Sequence, residues 1–130
     1  NLKSRTLASE LETVKKMLEI AGIEVKIENQ LDKASLTQDV ESTAAMILLE
    51  LATNIIKHAQ AKKSHFYLMQ KDEKLVLDIQ DDGCGFQKLT GRELHSIRER
   101  LSALSGRVEI LSSQDPTWIR IELPYGGKEA

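Results

Sequence analysis

The sequence predicts an α/β two-layer sandwich: a mixed five-stranded sheet with three helices on one face. Three observations support this. Apolar residues recur at helical spacing in three stretches, and five short stretches alternate with a period of two. The alternating stretches are apolar on one side only, so each strand has one face to cover and one for water. The 130 residues also contain no internal repeat and no linker long enough to divide them, so one domain spanning 1–130 is expected.

Thr6 caps a first helix running to about Ala21, with Leu7, Leu11, Val14 and Leu18 on one stripe and Gly22 ending it. Under two heptads, that stripe reads as a core face rather than a coiled-coil seam. Ile23, Val25 and Ile27 then alternate with Glu24, Lys26 and Glu28 in a first strand. After a polar loop, Ser35 or Thr37 starts a long central helix. Ser64 to Gln70 and Lys74 to Gln80 read as a hairpin across Lys71-Asp72-Glu73. Gly91 to Leu104 returns to the helical period, with Arg98 and Arg100 on a solvated face and Gly106 closing the helix. Arg107 to Leu111 and Thr117 to Leu123 are the last strands, Pro124 ends the fold, and 125–130 reads as a flexible tail. Trp118 is expected to be half-covered or a contact point.

Composition narrows the function. A net charge of −2 and only five aromatic residues offer nucleic acid neither attraction nor a stacking platform. The single cysteine, Cys84, excludes an internal disulfide and suits a reducing, cytoplasmic setting; it reads as a small filler, not a nucleophile. The longest apolar runs fall far short of the roughly 20 residues that span a bilayer. The chain begins at Asn1 without a methionine or signal peptide, so a piece of a longer protein is expected.

Between Ala44 and Ile56 only Glu50, Thr53 and Asn54 interrupt an apolar run. A helix there is largely buried, and a buried carboxylate requires a partner. At about 100° per residue, Glu50, Asn54, Lys57 and His58 share one arc of the helix. One reading is a solvated stripe. The other is a metal and phosphate site: an amide oxygen from Asn54 for Mg²⁺, Glu50 holding the metal's waters or assisting proton transfer, and Lys57 and His58 facing phosphate oxygens. A second acid stands out further on. Asp81 continues the side of Leu75, Leu77 and Ile79, so the strand delivers a carboxylate to the buried face as it ends. Gly83 and Gly85 follow, which alone signal only a turn but also permit close backbone approach to a ligand. An ionised carboxylate is an acceptor suited to an exocyclic amine such as that of adenine.

These residues resemble a known family. Glu50-x-x-x-Asn54-x-x-Lys57-His58 is similar to the asparagine box, and Asp81-x-Gly83-x-Gly85 to the first glycine box, of the GHKL ATP-binding domain shared by sensor histidine kinases, gyrase and MutL. Gly91-Arg92-Glu93-Leu94-His95-Ser96-Ile97-Arg98-Glu99-Arg100-Leu101 resembles the second glycine box and following helix of NarL/DesK-type histidine kinases. The resemblance runs from about Thr6 to Pro124. It implies a Bergerat-type fold with ATP between the central helix and a lid over Phe86 to Glu93. Asn54 would ligate Mg²⁺, Glu50 would be the catalytic residue, beside the phosphates and near the metal through water, and Lys57 and His58 would contact phosphate. Asp81 would accept the adenine amino group, Gly83 and Gly85 would shape that wall, and Gly91, Leu94 and Thr117 would complete the nucleotide contacts.

Three positions depart from the family pattern. Glu93 stands at the second glycine of the second box, Pro116 replaces a glycine before Thr117, and Leu49 replaces a glutamine before Glu50. No phosphoacceptor is present either: His58 belongs to the asparagine box, and His65 and His95 are followed by Phe66 and Ser96 instead of an acid. The resemblance therefore implies a catalytic domain that passes the γ-phosphoryl group of ATP to a histidine on a dimerisation domain of its own homodimeric protein, for relay to a response regulator. By itself the domain is expected to bind Mg-ATP without phosphorylating itself. A degenerate nucleotide-binding or partner-docking module is the alternative, tested by Glu93→Gly. An anti-sigma-type serine kinase on the same fold is disfavoured by the Ile97-Arg98-Glu99-Arg100 tract.

Overall fold

The computed structural model describes residues 6–31, 36–86 and 94–124, the side chains of His58 and Ala59 excepted. Residues 87–93 of the expected lid and the expected tail 125–130 lie outside them.

Helix α1 (Leu7–Ile20) begins where the Thr6 hydroxyl accepts from the Ser9 amide at 3.1 Å. It ends in a Schellman motif, with Ile23 N donating to Leu18 O and Gly22 N to Glu19 O, both at 2.9 Å, and Gly22 at φ +83°. Leu7, Leu11, Val14 and Leu18 are buried, so the stripe is a core face. Burial of each such side chain contributes about 1.5–3 kcal/mol. The Leu7 amide, left without an intrahelical acceptor, donates at 2.8 Å to Glu41 Oε2 of the central helix. That helix, α2 (Gln38–Asn54), is capped by Thr37 and packs beside α1. A π-helical segment, Ile55–Ala59, extends it.

Strands β1 (Glu24–Asn29), β2 (Lys63–Lys71), β3 (Lys74–Asp81), β4 (Arg107–Ser112) and β5 (Thr117–Pro124) form one sheet in the order β1-β2-β3-β5-β4. β1 and β2 are parallel, joined by the α2 crossover, and every other pair is antiparallel. Asp72 and Glu73, both at positive φ, make the two-residue turn between β2 and β3. Phe66, Leu68, Leu75, Leu77, Ile121 and Leu123 meet the buried faces of α1, α2 and α3 (His95–Ser102) in a single core. The predicted class, a mixed five-stranded sheet with three helices, is the observed one.

The outer sheet face is less wet than the alternation suggested. On β3, Val76 and Asp78 are only 4% exposed. β3 is the middle strand, and the register sets Asp78 between Tyr67 and Arg120. Arg120 donates from Nε and an Nη to both Asp78 oxygens, each at 2.8 Å, and its guanidinium lies 5.7 Å from the Trp118 ring. Trp118 is thus half-covered, by a neighbour on its own strand. The end of α3 also differs in detail. Ser105, at φ 60°, takes the left-handed position and Gly106 N donates to Leu101 O at 2.8 Å. Glycine is required at 106 for space, since a Cβ there would lie 2.8 Å from Glu122 O.

Candidate functional site

Asp81 is the last residue of the central strand, paired with Ser64 on one side and Thr117 on the other. All three side chains point to the inner face and are buried, making a polar row at the end of an apolar core. Ser64 Oγ donates to Glu24 O at 3.1 Å and Thr117 Oγ1 to Ser113 O at 3.4 Å. Asp81 Oδ1 accepts from the Gly83 amide at 2.8 Å. Burial raises the Asp81 carboxyl above the usual carboxylate range; the Gly83 amide opposes this and the neighbouring Asp82 charge adds to it.

Asp82 has a different task. Its Oδ1 accepts from the amides of Lys62 and Lys63 at 2.8 and 2.9 Å, tying the start of β2 to the end of β3. The Lys63 amide holds its carboxyl below the usual range; burial opposes this, and the Lys62 amide adds to the lowering. Beyond it, Gly85 sits at φ +64°, where a Cβ would lie 2.0 Å from Ser113 O and 2.6 Å from Thr117 Oγ1. Only glycine fits there. Phe86 N donates to Ser113 O at 2.9 Å and Gln114 Nε2 to Cys84 O at 2.8 Å, so the loop is fastened to the β4–β5 connection.

A cavity of about 420 Å³ opens between this corner and the C-terminal end of α2. Its walls are mostly apolar, from Leu51, Ile79, Phe86 and Ile119 among others, with Asn54, Asp81 and Thr117 as the polar side chains. This is the size and character of a small-molecule site. Of the residues singled out in the sequence, Asn54, Asp81, Gly85, Leu94 and Thr117 line it. Gly83 stands behind Asp81 through its amide. Pro116 does not displace Thr117 from the wall.

The other end of the predicted site is arranged differently. α-Helical phase carried past Asn54 puts Lys57 on the face of Glu50 and Asn54, but the chain there makes a wider π turn and Lys57 is exposed, off the cavity wall. Just before that turn, Thr53 Oγ1 back-bonds to Leu49 O at 2.8 Å. The side chain of His58, and Gly91 with Glu93, lie outside the described residues. Glu50, one turn before Asn54, is off the wall too: Ser96 Oγ donates to its Oε2, and Arg100 Nε lies 3.8 Å from its Oε1. Among the described residues no basic side chain lines the cavity, and no cluster of three or more His, Cys, Asp or Glu is placed to hold a metal.

Sequence reasoning missed Ser96 and Arg100 as partners of Glu50, because nothing in spacing brings α3 to α2. The apolar wall was findable: Ile79 and Ile119 each stand two residues from a polar wall residue, with the same parity.

No protein-family model matches the chain. The chain is 34% identical over 123 residues to the signal transduction histidine-protein kinase/phosphatase UhpB of Salmonella typhimurium, covering 92% of this chain and 23% of that protein. It is 29% identical over 134 residues to the sensor histidine kinase DesK of Bacillus subtilis, covering 98% and 35%. The fold matches the histidine kinase domain of a blue-light activated kinase of Erythrobacter litoralis with a TM-score of 0.75 at 14% identity, covering 91% of this chain and 60% of that one. The chain's relatives named here are thus sensor histidine kinases, and its fold is that of histidine kinase catalytic domains. The catalytic domain of histidine kinase ThkA has the same fold, at a TM-score of 0.68 and 14% identity, with 95% of both chains covered. The chain spans about a quarter to a third of the length of the curated relatives named here. None of its described helices is long and apolar enough to cross a membrane.

Proposed function

We propose that this domain binds Mg-ATP and donates the γ-phosphoryl group to a histidine on a dimerisation domain of its own homodimeric protein, for relay to a cytoplasmic response regulator. The observation that carries this reading is Asp81: a buried carboxylate with a raised pKa, at the mouth of an apolar cavity, given one backbone amide among the described residues. A carboxylate so placed is matched by a ligand that brings its own donor on a flat apolar body, as adenine does. Thr117 and Gly83 flank it.

The donor set also fits the metal. Mg²⁺ uses one or two protein oxygens and completes its shell with phosphates and water, so the lack of an all-protein cage is consistent with it. Asn54 would ligate it, with Glu50 near through water, and the metal would supply charge neutralisation at the phosphates. The chain's residues bind, orient and exclude water; the step itself breaks the bond between the γ-phosphorus and the ADP oxygen and forms one to an imidazole nitrogen, whose proton leaves to a base. His65 is held by Glu28 at 2.9 Å on the outer sheet face, and His95 lies beside Glu99 at 3.3 Å on α3. Neither lines the cavity, which supports an acceptor elsewhere. The test is calorimetry with a non-hydrolysable ATP analogue: binding strengthened by Mg²⁺, with the Mg²⁺ dependence removed in Asn54→Ala, is expected. Equal affinity for ATP and GTP would remove Asp81 from its role.

A further inference from the structure

Glu50 and Asn54 stand one helical turn apart on α2, but only Asn54 reaches the cavity. Glu50 faces α3 instead, where Ser96 and Arg100 are also one turn apart. Ser96 Oγ donates to Glu50 Oε2, Arg100 Nε lies 3.8 Å from Oε1, and Arg100 Nη1 reaches Met46 Sδ, one turn earlier on α2, at 3.8 Å. Two pairs of residues at one-turn spacing therefore meet across the α2–α3 contact. α3 is anchored beneath them, since Ile97 and Leu101 are fully buried. Its first turn also borders the cavity: Leu94, the residue preceding the helix, adopts φ 63° and lines the wall.

We propose that Ser96 and Arg100 are positioning residues that set the orientation of the Glu50 carboxylate from α3, coupling it to the cavity wall at Leu94. This rests on the phosphoryl-transfer reading above. A half-exposed glutamate has three rotatable bonds and no preferred direction of its own. The Ser96 hydroxyl gives it one, by engaging a single oxygen. Arg100 holds the charge nearby without a hydrogen bond at its distance, so Oε1 keeps its lone pairs for a proton or a water. Because Leu94 and Ser96 belong to one turn, a ligand that shifts Leu94 shifts the donor that aims Glu50.

The experiment uses the full-length protein carrying this domain, with phosphohistidine formation measured over a range of ATP concentrations. Ser96→Ala is expected to lower the rate at saturating ATP by about 10-fold to 100-fold while KM for ATP stays within about twofold. Ser96→Thr, which keeps the hydroxyl, should restore most of the rate. Glu50→Gln should lose at least as much, and adding Ser96→Ala to it should lose nothing more. Ser96 is exposed, so the unfolding midpoint should not move. A wild-type rate in Ser96→Ala, or an additive loss in the double variant, would overturn the proposal. An unmodified protein that binds ATP but forms no phosphohistidine would overturn the phosphoryl-transfer reading, and the proposal with it.

Discussion

Asp78 and Asp81 lie on the same strand, three residues apart, on opposite faces of the sheet, and both are buried. Asp78 is saturated from within: a bidentate guanidinium from the next strand takes both of its oxygens. Asp81 has an amide on one oxygen and an apolar cavity in front of it. The same residue type in the same strand is thus saturated where the fold supplies its counter-charge and left facing a cavity where it does not. Burial alone does not separate the two; the partners do.

The largest expected effect falls on the saturated acid. Arg120→Ala leaves the Asp78 carboxylate buried and unpaired, which costs about 3–5 kcal/mol, toward the lower end because the guanidinium is itself partly exposed. Denaturant unfolding should show the loss, and affinity for an ATP analogue should be unchanged once the variant is folded. Next is Gly85→Ala. A Cβ 2.0 Å from Ser113 O must push the loop away from the β4–β5 connection, for about 2–3 kcal/mol of stability, and unlike Arg120→Ala it should also abolish nucleotide binding.

Asp81→Asn should act in two directions. Affinity falls by about 1–3 kcal/mol, the loss on spoiling a hydrogen bond to a buried charge. Stability at neutral pH rises, because a carboxyl whose folded pKa is raised loses stability as pH climbs from its unfolded value through its folded one. For the same reason, adenine nucleotide binding to the unmodified domain should begin to weaken at a higher pH than an ordinary carboxylate would dictate. The smallest effect belongs to Asp82, whose pKa is lowered. The stability it contributes is present above the usual carboxylate range and lost as pH falls through its folded value. Asp82→Ala should therefore reduce the acid sensitivity of unfolding in that window and lower stability slightly above it.

The sequence was most legible where structure is local. The Thr6 and Thr37 caps, the Gly22 stop and the parity that carries Asp81 to the inner face all follow from neighbours a few residues away. Three features were not legible, each for a physical reason. The π turn after Asn54 changes the helical pitch without a Gly or Pro to mark it, so the phase drawn through Lys57 fails. The Asp78–Arg120 pair depends on β5 lying beside β3, a non-local register that alternation within one strand cannot reveal. Glu50 was placed with Asn54 by helical phase, but which neighbour an exposed edge of α2 meets is decided by how α3 packs, and α3 brings Ser96 and Arg100. The Asp81 corner of the cavity was thus readable from strand parity, while the surroundings of Glu50 and Lys57 were not.

The measurement that bears most directly on Asp81 as a ligand-seeking acid is calorimetric titration of the domain with a non-hydrolysable ATP analogue and Mg²⁺, unmodified and as Asp81→Asn. Saturable one-site binding, weakened about 10-fold to 100-fold in a variant that unfolds at a higher temperature, is the predicted result. Equal affinity in the two proteins, or no binding to the unmodified domain at millimolar nucleotide, would contradict it.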